Sequence, residues 1–156
     1  MTAVDIRPDH LAIARAYAAA ENRWPVAPRF DPVDRWYHRL ALHDDYEVWL
    51  LTWLPGQGTD LHDHGGSAGA FQVHAGALTE DTVSVTGQVP RITARELGEG
   101  AGRRFGGRHI HRITNRSTRP AVSVHVYGPA LTTMTRYRIA PGGLAVVTVE
   151  QAGVQW

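Results

Sequence analysis

The sequence contains no cysteine and no lysine; its 16 basic residues are all arginine. Without thiols, a disulfide framework and a zinc–thiolate centre are both excluded. The arginine-only usage reads as a compositional habit of the source genome, not as chemistry. No apolar run approaches the roughly 18 residues that a membrane-spanning helix requires, and no apolar leader core opens the chain. The expected location is therefore the cytoplasm, with no membrane partner. Net charge is only +1. The single basic run, Arg103 to Arg119, contains one interleaved aromatic residue, Phe105. Nucleic-acid surfaces combine such charge with several stacking rings, so the run reads as a solvated edge and no nucleic-acid partner is expected.

What is present fits one turn-rich domain. The 156 residues include 16 Gly and 9 Pro, enough chain for one core without disulfide staples. One domain over 1–156 is expected, as a monomer. Residues 8–22 read as a helix: Pro8 suits a first turn, and Leu11, Ala14 and Ala18 form an alanine-rich apolar stripe. Pro25, Pro28 and Pro32 make 24–34 irregular, so 1–34 is a helix with a lead-in. From there the pattern becomes short alternating runs, expected as strands at 35–42, 46–53, 59–64, 69–74, 77–86, 89–97, 109–114, 121–128, 131–139 and 144–149. Gly- and Pro-rich turns separate them. Residues 35–150 are thus expected to be all-β, an antiparallel barrel or double-sheet jelly roll behind an N-terminal helical segment.

Several polar residues occupy positions where a core belongs. In 121–128, Val122, Val124 and Val126 share one face, while Ser123, His125 and Tyr127 share the other. The valine face needs an apolar cover. The polar face is either solvated or lines a chamber inside the barrel. Histidine is abundant, with nine residues. In His62-Asp63-His64, two imidazoles two apart on a strand point the same way, about 7 Å apart at the backbone. They can lean onto one cation at bonds near about 2.1 Å. A second pair, His109 and His111, shares a face later in the chain, and parity leaves either as a third ligand. Neutral imidazoles without cysteine suit iron, nickel, copper or zinc, not calcium or magnesium.

The spacing of Gly56, His62, His64 and Gly76 resembles the first cupin motif, with Gly69 in place of its glutamate ligand. His111-Arg112-Ile113-Thr114-Asn115 resembles part of the second. The segments Tyr37-His38-Arg39, Leu-His-Asp-His at 61–64, His-Arg-Ile-Thr-Asn at 111–115 and Ala-Val-Ser-Val-His-Val-Tyr-Gly-Pro at 121–129 together resemble the cysteine dioxygenase family of thiol dioxygenases. The resemblance implies a cupin, or double-stranded β-helix, fold. It implies iron(II) bound by His62, His64 and His111, with Asn115 selecting His111 over His109. Arg39 takes the substrate carboxylate with Tyr37 nearby, and Ser123, His125 and Tyr127 form a hydrogen-bonded row beside the metal. A cis bond is implied at Gly128–Pro129. Mammalian members carry a cysteine cross-linked to the tyrosine. That position here is Gly69, as in bacterial members, so Tyr127 is an unmodified phenol.

The implied reaction consumes L-cysteine and O2 and gives cysteine sulfinic acid, the sulfinate rung of cysteine oxidation. The implied partners are therefore a small-molecule thiol and O2. Three rivals remain. A 3-mercaptopropionate (or other small thiol) dioxygenase shares the metal site but carries glutamine at the Arg39 position. A non-catalytic small-molecule-binding cupin needs the pocket without turnover. A zinc or nickel cupin isomerase keeps the glutamate that is missing here.

Overall fold

The computed structural model describes residues 7–87 and 89–152. One helix, α1 (His10–Ala19), precedes a short 3₁₀ turn at Glu21–Arg23. Asp9 caps α1 by accepting a hydrogen bond from the Ala12 N–H at 3.1 Å, which satisfies one of the orphan donors of a first turn. Eleven strands follow: β1 (Tyr37–Leu42), β2 (Glu47–Trp53), β3 (Leu61–His62), β4 (Ala68–Ala75), β5 (Ala77–Thr86), β6 (Val89–Gly98), β7 (Gly102–Phe105), β8 (His111–Thr114), β9 (Ala121–Gly128), β10 (Thr133–Ala140) and β11 (Gly143–Gln151). They form two antiparallel sheets, ordered β1-β2-β9-β4-β7 and β11-β10-β3-β8-β5-β6.

Strand β9 organises the molecule because both of its faces are buried. Val122, Val124 and Val126 join Val48 and Leu50 of β2 against Ala14 and Ala18 of the helix. Alanine on the helix face lets α1 lie close to the sheet, so the valine face finds its apolar cover. The opposite face of β9 looks into a second cluster between the sheets, built from Trp49, Leu51, Trp53, Phe71, Leu78, Phe105, Ile113 and Tyr127 among others. The sheet β1-β2-β9-β4-β7 is thus the wall between helix and chamber.

Several strand ends shift by a residue or two, β1 starting at Tyr37 and not at 35, and three differences bear on the site. β7 was not expected. Its four residues carry Arg103 on the same inward side as Phe105, because Phe71 and Gly69 of β4 stand opposite them in register; a charged inward residue hides the alternation. β3 ends at His62, so His64 lies beyond it, on the turn formed by Gly65 (φ 60°) and Gly66 (φ 95°). β8 begins at His111, leaving His109 outside the strand. The basic run is largely neutralised: Arg103 pairs with Glu80, Arg104 with Asp9, and Arg112 and Arg116 with Asp81. No helix is long and apolar enough to cross a membrane among the described residues.

The double burial of β9 makes a prediction. Val124→Ala removes methyl groups between helix and sheet and is expected to cost about 2 kcal/mol, read as a lower urea midpoint with unchanged slope. A midpoint equal to wild type would show that α1 contributes no packing there.

Candidate metal centre

His62 and His111 are cross-strand partners in the β3–β8 pair, which brings their rings to 4.8 Å between centroids. His64 arrives from the turn after β3. That turn is fixed by Asp63, which accepts from Gly65 N–H at 3.0 Å, Thr135 N–H at 3.2 Å and the Tyr137 hydroxyl at 2.6 Å. His64 then stacks on Phe105 at 4.7 Å. The three imidazoles are buried, and one nitrogen of each lies within 4.8 Å of the other two. The turn, and not strand alternation, aims His64.

The hydrogen bonds determine which nitrogen faces inward. His62 Nδ1 lies 2.8 Å from the Asp60 carbonyl oxygen, and His111 Nδ1 lies 2.7 Å from Glu80 Oε1. Both partners are acceptors, so each Nδ1 carries the proton and donates it. Each Nε2 is left with a lone pair directed to the centre. His111 Nε2 and His64 Nε2 are 3.3 Å apart. Two ligands held at about 2.1 Å from one ion are separated by about 3.0 Å at a right angle and about 3.4 Å at the tetrahedral angle. The observed spacing lies between these. His64 Nδ1 is buried without a hydrogen-bond partner among the described residues. A divalent cation with a preference for imidazole fits this donor set.

Burial, reinforced by the neighbouring imidazoles, pushes the His62 and His64 pKa values well below the ordinary 6.5. Burial likewise lowers His111 against the opposing pull of Glu80. Burial would raise Glu80, but hydrogen bonds from His109 and His111 and the Arg103 charge override it, and the carboxyl sits well below its usual range.

Beside this centre lies a chamber whose wall includes Leu51, Trp53, Ile113 and Met134, with His62, His111, His125, Tyr127, Arg35 and Arg136 supplying the polar atoms. The inward face of β9 forms one relay. Trp53 Nε1–H donates to Ser123 Oγ at 2.9 Å. Ser123 Oγ is 2.8 Å from His125 Nε2, and His125 Nδ1 is 3.2 Å from the Tyr127 hydroxyl. The buried serine proton is satisfied when it is donated to Nε2. His125 Nδ1–H then donates to Tyr127, which keeps its own proton as a donor. Burial raises the Tyr127 pKa, so it remains a phenol. Gly69 stands opposite Tyr127 in register, and a Cβ there would meet the Phe105 ring at 2.7 Å and the Val126 carbonyl oxygen. Phe105 fills the space that a side chain at 69 would need. The Gly128–Pro129 peptide is cis.

The structure does not bring Arg39 to this chamber. Its side chain is 46% exposed, 3.6 Å from Glu47 Oε2, and its guanidinium lies over the Trp49 ring at 5.6 Å. Tyr37 packs edge-on against Trp49 at 5.9 Å and does not line the chamber either. The guanidinium that does is Arg35, stacked over Trp53 at 4.6 Å. Its Nε and Nη1 are enclosed without a hydrogen-bond partner among the described residues, and burial pushes its pKa down to about 10. Arg35 precedes β1 and shares strand parity with Arg39, a signal that could have found it. The other missed residue is Glu80. It shares an alternation face with Leu78, and that parity was its only sequence signal. His109 faces Glu80 Oε1 at 2.9 Å, not the three-histidine centre. Asn115 serves the turn, donating to the Trp53 and Arg119 carbonyls.

A double-sheet β-barrel with three buried imidazoles grouped where they could hold a metal ion is the arrangement of a cupin. Solved structures share the fold: the TT1209 protein from Thermus thermophilus (TM-score 0.57, 20% identity, covering 66% of this chain and 90% of that one), and a cupin superfamily protein from Desulfitobacterium hafniense (TM-score 0.53, 10% identity, 64% and 81%). The family model described as cysteine dioxygenase type I matches residues 2–139, and the chain belongs to that family. Cysteine dioxygenase type 1 of Homo sapiens is 28% identical over 130 residues, covering 78% of this chain and 64% of the human protein. The Rattus norvegicus protein is 27% identical with the same coverage. The chain therefore spans slightly under two thirds of the length of the curated relatives it matches.

The buried imidazoles set a pH dependence. Their folded-state pKa values lie below the unfolded value, so below about pH 6.5 the unfolded chain binds more protons than the folded one. Stability of the metal-free protein is then lost as pH falls, by up to about 1.4 kcal/mol per pH unit for each histidine. Glu80 acts in the same direction only further into acid. Urea midpoints at pH 7.5, 6.5 and 5.5 should decrease in that order; a flat series would contradict the buried, neutral assignment.

Proposed function

We propose that this protein is an iron(II) thiol dioxygenase that converts L-cysteine and O2 to cysteine sulfinic acid, both oxygen atoms passing to sulfur. The observation that supports it most is the convergence of three buried imidazole lone pairs beside an enclosed guanidinium and a tyrosine held as a proton donor. Family membership supports the same reading. His62, His64 and His111 hold the metal, which when bound supplies an electrophile for the thiol and the redox capacity that O2 chemistry requires.

The chain's own groups do the rest. Arg35 offers a planar fork to the substrate carboxylate, and Trp53 backs it. Its enclosed Nε–H and Nη1 donors are those a carboxylate satisfies. Tyr127 donates a hydrogen bond into the chamber from its retained O–H. His125 orients Tyr127, while Ser123 and Trp53 hold His125 in one tautomer. Leu51, Ile113 and Met134 exclude water. In this reading Arg35 takes the role that the resemblance gave to Arg39.

One observation favours a second reading. No aspartate or glutamate lines the chamber among the described residues, so a cysteine ammonium finds no carboxylate there. 3-Mercaptopropionate carries the same thiol and carboxylate without the amine. Comparing kcat/KM on the two thiols separates the readings.

The iron-loaded protein is expected to take up one O2 per cysteine and release one sulfinate. No uptake with any small thiol would contradict the proposal and favour a non-catalytic binding cupin. Arg35→Ala should raise KM for cysteine roughly 10- to 100-fold, the equivalent of a lost charge-assisted hydrogen bond. Arg39→Ala should stay within about twofold of wild type if its guanidinium makes no such bond; the opposite ranking would restore Arg39 as the carboxylate group.

A further inference from the structure

The glutamate of the first cupin motif is missing at Gly69, yet a carboxylate still reaches the centre from behind. Glu80 lies on β5, and the β5–β8 register sets it opposite Ile113, diagonal to His111. Its side chain is 1% exposed. Two hydrogen-bond donors and one cation converge on it: His111 Nδ1 at 2.7 Å and His109 Nε2 at 2.9 Å on Oε1, and the Arg103 guanidinium, whose Nε forms an ion pair with Oε2 at 2.6 Å. Every one of these contacts favours the ionised carboxylate.

The three candidate ligands are therefore unequal. His62 Nδ1 faces a neutral carbonyl, and His64 Nδ1 has no hydrogen-bond partner among the described residues. Among the described residues, only His111 of the three has a full negative charge behind its ring. We infer that Glu80 is a positioning residue that supplies charge to the metal centre through His111, making that imidazole the strongest donor of the three. A carboxylate on the far nitrogen of a ligating histidine raises its basicity and locks its ring. The charge removed from the direct ligand set is thus returned one residue further out, and the positions nearest the ion stay open for small molecules. Arg103 from β7 and His109 from the turn before β8 tether the carboxylate so that it cannot rotate away.

A second cation held by Glu80, His109 and His111 is the competing use of the same atoms. The Arg103 guanidinium on Oε2 opposes it, because a cation there would face a fixed positive charge.

The inference rests on His62, His64 and His111 being ligands, and the experiment separates the two claims. Metal-stripped full-length chain is titrated with Co(II) alone, reading stoichiometry, affinity and the visible ligand-field bands; no turnover is involved. Wild type should bind one equivalent, and His62→Ala should lose it. Glu80→Gln keeps the size and an acceptor oxygen but removes the charge. It should weaken Co(II) binding about 10- to 100-fold and shift the bands, a change that a purely structural role would not produce. Wild-type affinity with wild-type bands in Glu80→Gln overturns the inference while leaving the ligand set intact. Two equivalents in wild type and one in Glu80→Gln make Glu80 a ligand and also overturn it. Unimpaired binding in His62→Ala, or none in wild type, overturns both claims. If Glu80→Gln does not fold, Glu80→Asp draws the charge back from His111: a several-fold loss of affinity supports the inference, and wild-type affinity overturns it.

Discussion

Placing three imidazole lone pairs face to face inside a protein is unfavourable unless a cation relieves them. His62 and His111 cannot avoid this by changing tautomer, because Asp60 and Glu80 each demand a proton on Nδ1. Removing the rings from water adds to the cost. The arrangement persists because it is over-determined from outside. The β3–β8 pair sets two of the rings side by side, and the Asp63 turn, tied to β10 and Tyr137, sets the third. Much of the molecule's polar interior follows from that one constraint.

Strand β9 shows how the fold accommodates such a site. A barrel strand with one wet face could not line a closed chamber. Here the valine side is sealed by an alanine-faced helix, so the side bearing Ser123, His125 and Tyr127 can turn inward. Every polar group of that row then needs a partner, and Trp53 begins the chain of donors that ends at Tyr127. The direction of that relay is the chemical point: proton donation runs toward the phenol and leaves the phenol a donor. Arg35 completes the chamber with positive charge that the described residues do not neutralise by a direct acid contact.

Much of this was legible in the sequence. The alternation in 121–128 marks both faces of β9, and the His62-Asp63-His64 and His109/His111 pairs mark the imidazoles, of which the structure groups His62, His64 and His111. What was hidden depends on register and turns. β7 was obscured because Arg103 points inward, where a strand pattern demands an apolar residue. Arg35 was passed over because 35, 37 and 39 share parity, and parity does not say where along a strand the chamber ends. Glu80 gains meaning only once β5 is laid beside β8. Alternation puts His64 on a strand, whereas a glycine turn aims it.

The most direct test is X-ray absorption at the iron edge on protein reconstituted with iron(II), compared with anomalous diffraction from the same material. The account predicts one iron per chain with three imidazole nitrogens at about 2.1 Å, located between Nε2 of His62, His64 and His111. Iron found elsewhere, or bound with a direct carboxylate and fewer than three imidazoles, would contradict it.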